Sequence, residues 1–206
     1  MKSHLHNGYT LIELVVGIIT FSIVLTIVTD LLAPQANRSI DPIYQVRATE
    51  LAQSLFNEMS GKLFDENADR SGGRIRCNED LDGDGLATNT AIGERVCTVP
   101  ILLGPEDGLG GRPNGNENDR EVYDDVDDYH GLQFTDGSQF QNSLGEQLVI
   151  DGSNLYEGFQ MDVEVAYDAD QDGGADTSSG NIKRIDVVVT TPNGEEIYFS
   201  VFKHNY

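Results

Sequence analysis

Two stretches of the sequence place acids at alternate positions ahead of glycine. Asp168, Asp170 and Asp172 precede Gly173 and Gly174, and Asp176 follows. A calcium loop needs carboxylates at its first, third and fifth positions, a turning glycine at the sixth, a carbonyl at the seventh and a further ligand at the ninth. The twelfth position, where a bidentate glutamate belongs, is Ser179. Asp80, Asp82 and Asp84 repeat the spacing before Gly85, with Leu86 offering a carbonyl and Thr88 a hydroxyl. Here the twelfth position is Ala91, and Glu94 is near enough to fold back. The chemistry expected of both loops is weak binding of calcium at extracellular levels. The alternative is a polar hairpin tip and a solvated acidic loop.

A third acidic cluster runs from Tyr123 through Asp124, Asp125, Val126, Asp127, Asp128 and Tyr129 to His130 and Gly131. Four carboxylates beside a histidine suit a metal or acid–base work. A structural turn is the plainer alternative. Helical spacing would put Val122, Val126 and Tyr129 on one face and leave the aspartates outward. Elsewhere the chain has no nucleophile–base pair, phosphate loop or metalloprotease motif, so no catalytic residue is expected.

One acid stands apart. Glu13 sits near the start of an apolar run from Leu11 to Ala33, long enough for a bilayer, which needs about 20 residues. A charge at mid-membrane costs about 2.5–3.5 kcal/mol on insertion scales, so such a residue usually has a partner or a task. Gly17, Thr20, Ser22 and Thr26 on the same run permit close helix packing, with hydroxyls satisfied on backbone carbonyls. A secretory signal would have a shorter apolar core and a small-residue cleavage site.

Charge and length bound what surrounds these residues. The 206 residues carry 35 Asp and Glu against 13 Lys and Arg, a net charge of −22, which argues against nucleic-acid partners. Hydrophobic content of 38%, with 8 Phe and 8 Tyr, supplies a modest core. Two cysteines cannot make a four-ligand zinc site unaided, and histidine is scarce, with four in the chain. In an oxidising compartment Cys77 and Cys97 would close a loop worth roughly 3 kcal/mol; in a reducing one they would be two buried thiols.

The elements that must position these groups follow from periodicity. Pro34 and Pro42 mark a kink or a short melted segment. Tyr44, Ala48, Leu51, Leu55, Met59 and Leu63 then recur at helical spacing and predict an amphipathic helix lying against a sheet. Asp65–Ile75 reads as a loop, Thr98–Leu103 as a short strand, and Gly104–Asn118 as irregular. Phe159, Met161, Val163, Val165 and Tyr167 alternate as a half-buried strand should. Ile182–Thr191 is a second strand, and Pro192-Asn193-Gly194 turns into a third through Ile197, Phe199 and Val201. The class expected is α+β, a long N-terminal helix packed on a C-terminal antiparallel sheet.

The stretch Gly8-Tyr9-Thr10-Leu11-Ile12-Glu13-Leu14 resembles the processing signature of type IV prepilins. The run DDVDDYHG, the segment LLAPQANRSIDPIYQVRATELAQSLFNEMSGKLFDENAD and the cysteine pair are similar to minor pilins of the mannose-sensitive haemagglutinin (MSHA) pilus. The resemblance implies a leader at 1–8, cleavage between Gly8 and Tyr9 by a prepilin peptidase, and N-methylation of Tyr9. It implies an assembly helix over 9–33, its amphipathic continuation over 34–64 and an exported head over 65–206. The family usually has Phe where this chain has Tyr9. Once Tyr9 carries a free amine, Glu13 lies one turn later, and axial stacking lets it meet the amine of a neighbouring subunit. Such a pair specifies register more than it adds stability. The partners implied are other pilins and an inner-membrane assembly platform. The place implied is the bacterial inner membrane and then the cell surface. A minor pseudopilin of type II secretion shares the N-terminal signature and is the alternative, and a tethered receptor or enzyme domain is a more distant one.

Overall fold

The computed structural model describes residues 10–38, 41–68, 76–106, 117, 119–141, 147–150 and 152–205. It divides into two compact units, Met1–Tyr44 and Gln45–Tyr206. The fold class is α+β, with two helices preceding an antiparallel sheet.

Helix α1 runs Leu11–Arg38. Thr10 begins it, its Oγ1 accepting the Glu13 N–H at 3.3 Å, a first-turn donor with no partner inside the helix. Of the kink or melted segment expected around Pro34 and Pro42, the chain is not melted at Pro34, because the helix passes through that residue to Arg38. Proline removes one hydrogen bond from a helix interior, and the remaining ladder carries the chain onward. Helix α2, Asp41–Ser60, takes Pro42 into its first turn, where a missing N–H costs nothing.

In the second unit, α2 buries Ala48, Leu51, Ala52, Leu55 and Met59. The spacing is that of one helical stripe, as the sequence predicts. Leu51 and Leu55 share a cavity lining with Phe134 and Met161, which places the stripe beside the sheet. Arg47 fixes the helix further by donating to Leu155 O at 3.0 Å.

The sheet comprises β1 (Gln133–Phe134), β4 (Gln160–Tyr167), β5 (Ile182–Thr190) and β6 (Glu196–His204), in the order β1-β4-β5-β6. A separate ribbon pairs β2 (Val149–Ile150) with β3 (Ser153–Asn154). Met161, Val163, Val165, Ile185, Val187 and Val189 are buried at alternate positions, so one face of the sheet makes the core. Between β5 and β6 the Pro192-Asn193-Gly194 turn is as expected. Gly194 has φ 83°, and its N–H donates to Thr191 O at 2.8 Å.

Thr98–Leu103 is not a strand. Pro100–Leu102 forms a 3-10 turn with Ile101 and Leu102 exposed. Proline fixes φ and has no N–H for a ladder, and here it starts the turn.

Candidate functional site

Between Leu11 and Thr29, α1 is long and apolar enough to cross a membrane, a length and composition that also suit a signal sequence. Its large apolar side chains are exposed throughout, Leu11 at 83% and Phe21 at 66%. Glu13 occupies the first turn. Each hydroxyl on the helix donates to a carbonyl one turn back: Thr20 to Val16 O at 3.0 Å, Ser22 to Ile18 O at 2.8 Å, Thr26 to Ser22 O at 2.9 Å. These groups therefore carry no unmet polarity into an apolar medium. Gly8 and Tyr9, the residues of the expected cleavage and methylation, lie outside the described residues.

Cys77 and Cys97 are bonded to each other, the pairing expected for an oxidising compartment. The disulfide is buried with Phe64 and Tyr167. Asn205 near the C-terminus holds it, donating through Nδ2 to Cys77 O at 2.8 Å.

The Asp80 loop closes on itself within that disulfide ring. Asp80 accepts the N–H of Gly83 at 2.6 Å and of Gly85 at 2.8 Å, which holds its carboxyl below the usual range, Gly85 contributing most. Asp84 accepts the N–H of Leu86 at 2.8 Å. Gly85, with φ 86°, takes the left-handed turn that this position demands. Glu94 does fold back. It is buried, accepts from Leu81 N–H at 2.7 Å and Asn89 N–H at 2.7 Å, and brings an oxygen within 4.8 Å of Asp80 and Asp82. Leu86 and Thr88 are exposed on the same loop.

The second loop forms the tip between β4 and β5. Asp168, Asp170 and Asp172 bring oxygens within 4.8 Å of one another, and Gly173 has φ 87°. Asp176 instead accepts the Ala169 N–H at 2.7 Å. Ser179 accepts from Asn78 Nδ2 at 3.3 Å. The sequence reading missed Arg184, whose guanidinium pairs with Asp168 and also reaches Gly174 O at 3.4 Å. Burial works to raise the Asp168 pKa, but Arg184 and the Gly173 and Asp172 amides hold it below the ordinary value. The tip thus already contains one internal cation.

The third cluster departs from expectation. Asp125, Asp127 and Asp128 are buried, not outward. The segment forms two 3-10 turns, Arg120–Val122 and Asp127–Tyr129, so the α-helical face never exists. Backbone bonds pin it to Leu63, just beyond α2: Leu63 N–H to Asp124 O at 3.1 Å, and Val126 N–H to Leu63 O at 3.1 Å. The inward carboxylates meet Lys183 of β5, itself fully buried. Lys183 Nζ donates to Asp127 Oδ1 at 2.6 Å, Phe64 O at 2.6 Å and Asp65 Oδ2 at 3.3 Å. It also sits over the Phe64 and Tyr167 rings. Burial works against its charge, but Asp127, Asp65 and Asp125 raise its pKa.

Asp125 is pushed up to about 10, first by burial and then by Asp127 and Asp128. Asp128 is pushed up to about 7 by burial, against the Asp125 and Asp124 amides, with Glu117 adding to the rise. His130 accepts the Val165 N–H on Nδ1 at 3.2 Å, a structural use of the imidazole. At the outer side, Glu58 of α2 takes the Tyr129 hydroxyl at 2.6 Å and Arg120 Nε at 3.0 Å, and Arg120 lies over Phe134. Sequence reasoning missed Asp65 and Lys183. A signal existed for Lys183, which falls in phase with Ile185, Val187 and Val189 on the inward face.

Comparison with protein-family models, with curated proteins and with solved structures finds no match for this chain.

Proposed function

We propose that this chain is a minor type IV pilin of the MSHA kind, a structural subunit that enters a surface fibre to prime its assembly or modulate adhesion. One observation carries the reading. The residues Gly8-Tyr9-Thr10-Leu11-Ile12-Glu13 lead directly into a helix whose apolar side chains are exposed and whose first turn holds an acid. A face of that kind needs lipid or other helices to cover it. In this reading a prepilin peptidase cuts after Gly8, Tyr9 becomes the methylated N-terminus, and Glu13 receives the amine of an adjacent subunit. The inner membrane holds the chain before assembly, and the disulfide and the sheet belong to the exported, pilin-like head. The DDVDDYHG run favours this reading over a type II secretion pseudopilin.

The test is substitution of Glu13 together with mass analysis of the N-terminus. Material from native membranes should begin at methylated Tyr9. Glu13→Ala should remain in the membrane, since it removes a charge from an apolar helix, while its amount in sheared fibres falls. Normal incorporation of that variant would remove the assembly role, and a retained Met1 would remove the prepilin reading.

Calcium forms a separable part of the proposal. The Asp80 loop, completed by Glu94, and the Asp168 tip fit weak sites of about 10⁻⁴–10⁻³ M, as in extracellular modules. Arg184 makes the tip the weaker of the two, because an incoming ion must share Asp168 with it.

A further inference from the structure

An amine and a carboxyl held in contact away from water can do more than attract each other. Lys183 Nζ lies 2.6 Å from Asp127 Oδ1, with both side chains closed to solvent. The other carboxyl on Nζ, Asp65, is farther away at 3.3 Å. It is also held by its own donors: the Thr98 N–H at 2.8 Å, the Asn67 N–H at 3.0 Å and the Tyr167 hydroxyl at 3.3 Å. Asp127 lacks that support. Among the described residues its Oδ1 meets Lys183, and its Oδ2 is buried with no N–H or hydroxyl donating to it.

Asp125 adds an acid to the pair. It is completely buried, and its Oδ1 accepts the Asp127 and Asp128 N–H groups at 2.8 and 3.3 Å. Its Oδ2, like that of Asp127, is buried and takes no N–H or hydroxyl. Two neighbouring carboxyls in a core do not both ionise, so a proton lies between them. Burial and the Asp127 charge push Asp125 up to about 10, which puts the proton on Asp125 with Asp127 as its hydrogen-bond partner. The Phe64 and Tyr167 rings stand 4.6 and 5.2 Å from Nζ and wall the group in.

We infer that Lys183 and Asp127 condense into an intramolecular amide, with Asp125 as the acid that assists. The ammonium first passes one proton to Asp127 Oδ1, leaving an amine and a neutral carboxyl. Asp65, Asp125 and Asp127 favour the ammonium, so this neutral pair is a minor state, but a reaction that happens once per chain needs no more. The Nζ lone pair attacks Asp127 Cγ while the Asp125 hydroxyl donates to Oδ2, where negative charge develops. The Cγ–Oδ1 bond then breaks, and Oδ1 leaves as water with a second proton from Nζ. The third proton stays as the amide N–H, on a nitrogen that already donates to Phe64 O at 2.6 Å. Asp125 ends with its own proton, and nothing is oxidised or reduced. Fixed contact of the two groups is worth an effective concentration of up to about 10⁵–10⁸ M. The product also removes two buried charges, which favours it in a dry core. The bond would join the 3-10 turn at Asp127 to β5, and the inference depends neither on the pilin reading nor on the calcium loops.

The test is a peptide map of the full chain, purified in detergent, reduced and digested under denaturing conditions. Mass spectrometry should find one branched peptide that joins the segment of Asp127 to that of Lys183. Its mass should be lower by one water than the two segments together, and fragmentation should place the branch on those two residues. Lys183→Met and Asp127→Ala should each give two separate segments. Asp125→Asn keeps the shape of the acid but has no carboxyl proton, and it should leave the segments separate when the parent is fully joined. Because any of these variants could fail to fold, the unmodified chain decides the matter. Separate Asp127 and Lys183 segments at full mass in that chain would overturn the inference, and so would a branch carried by Asp65. A branch formed to the same extent in Asp125→Asn would overturn the part given to Asp125.

Discussion

Helix α1 exposes Leu11, Ile12 and Phe21 at 83, 72 and 66%, whereas the second unit hides Asp65, Asp125, Asp127 and Lys183 completely. Each region reverses the ordinary rule that apolar groups go inside and charges outside. The reversals differ in what resolves them. The ionic cluster supplies its own partners: Lys183 answers Asp127 and Asp65, and the Asp65 carboxylate also takes the Thr98 N–H at 2.8 Å. The helix supplies none for its apolar face, having only satisfied its hydroxyls on its own carbonyls. One region is settled within its own fold, with Asp125 kept neutral by a pKa pushed up to about 10. The other is long and apolar enough to cross a membrane, and in the proposed reading a lipid bilayer or a neighbouring helix would cover it.

The sharpest way to break the contrast is to remove the central cation. Lys183→Met keeps most of the volume but strands Asp127 and Asp65 in the core. Breaking a buried pair from one side costs about 3–5 kcal/mol, a large part of the stability of a typical domain. Denaturation of the second unit, followed by tyrosine fluorescence in the detergent-solubilised chain, should shift by that amount. Membrane retention through α1 should not change. If the variant unfolds no more easily, the buried network contributes nothing net.

Next in size is the disulfide. Reducing Cys77–Cys97, or replacing both residues with Ser, should cost about 2–5 kcal/mol, the range for small secreted domains. The effect should concentrate on the Asp80 loop and on Asn205, which the bond holds at Cys77 O. Hydrogen exchange at residues 78–97 should rise well before exchange in β4 and β5. Equal protection with and without the bond would show that Glu94 alone organises the loop.

What is legible in the sequence is local. Helix α1, the stripe on α2, strands β4 to β6 and the Asn193-Gly194 turn follow from periodicity and turn chemistry within short windows. The positive φ at Gly85 and Gly173 likewise follows from where the glycines stand. The departures are of two kinds. At Pro34 and Pro100 the outcome depends on the ladder around the ring: the first proline is carried inside a helix, and the second starts a turn where apolar neighbours suggest a strand. The DDVDD run reads as outward because acids usually are, and its true direction depends on Lys183, 56 residues beyond Asp127 in sequence. Asp65, likewise, reads as the start of a loop until Thr98, Tyr167 and Lys183 converge on it. No window of sequence contains that information.

The smallest effect lies at the rim of the ionic cluster, at Glu58. Its carboxylate binds Arg120 and the Tyr129 hydroxyl while remaining partly open to solvent, and it joins α2 to the segment that carries the buried aspartates. Burial works to raise its pKa, but Arg120 and Tyr129 prevail and the value falls below the ordinary 4.5. A carboxyl whose pKa is lowered on folding adds stability above its unfolded pKa and loses it as the pH falls through the folded value. The unmodified chain should therefore exceed Glu58→Gln by about 1 kcal/mol near neutrality, because solvent screens part of the pair. That margin should hold down to about pH 4.5 and narrow below it. Denaturation of both chains at stepped pH measures the difference directly, with the buried groups common to both. A margin that stayed constant into strong acid would mean that the neutral amide fails through shape, not charge, and that the rim belongs to the packing of α2 instead of to the ionic cluster.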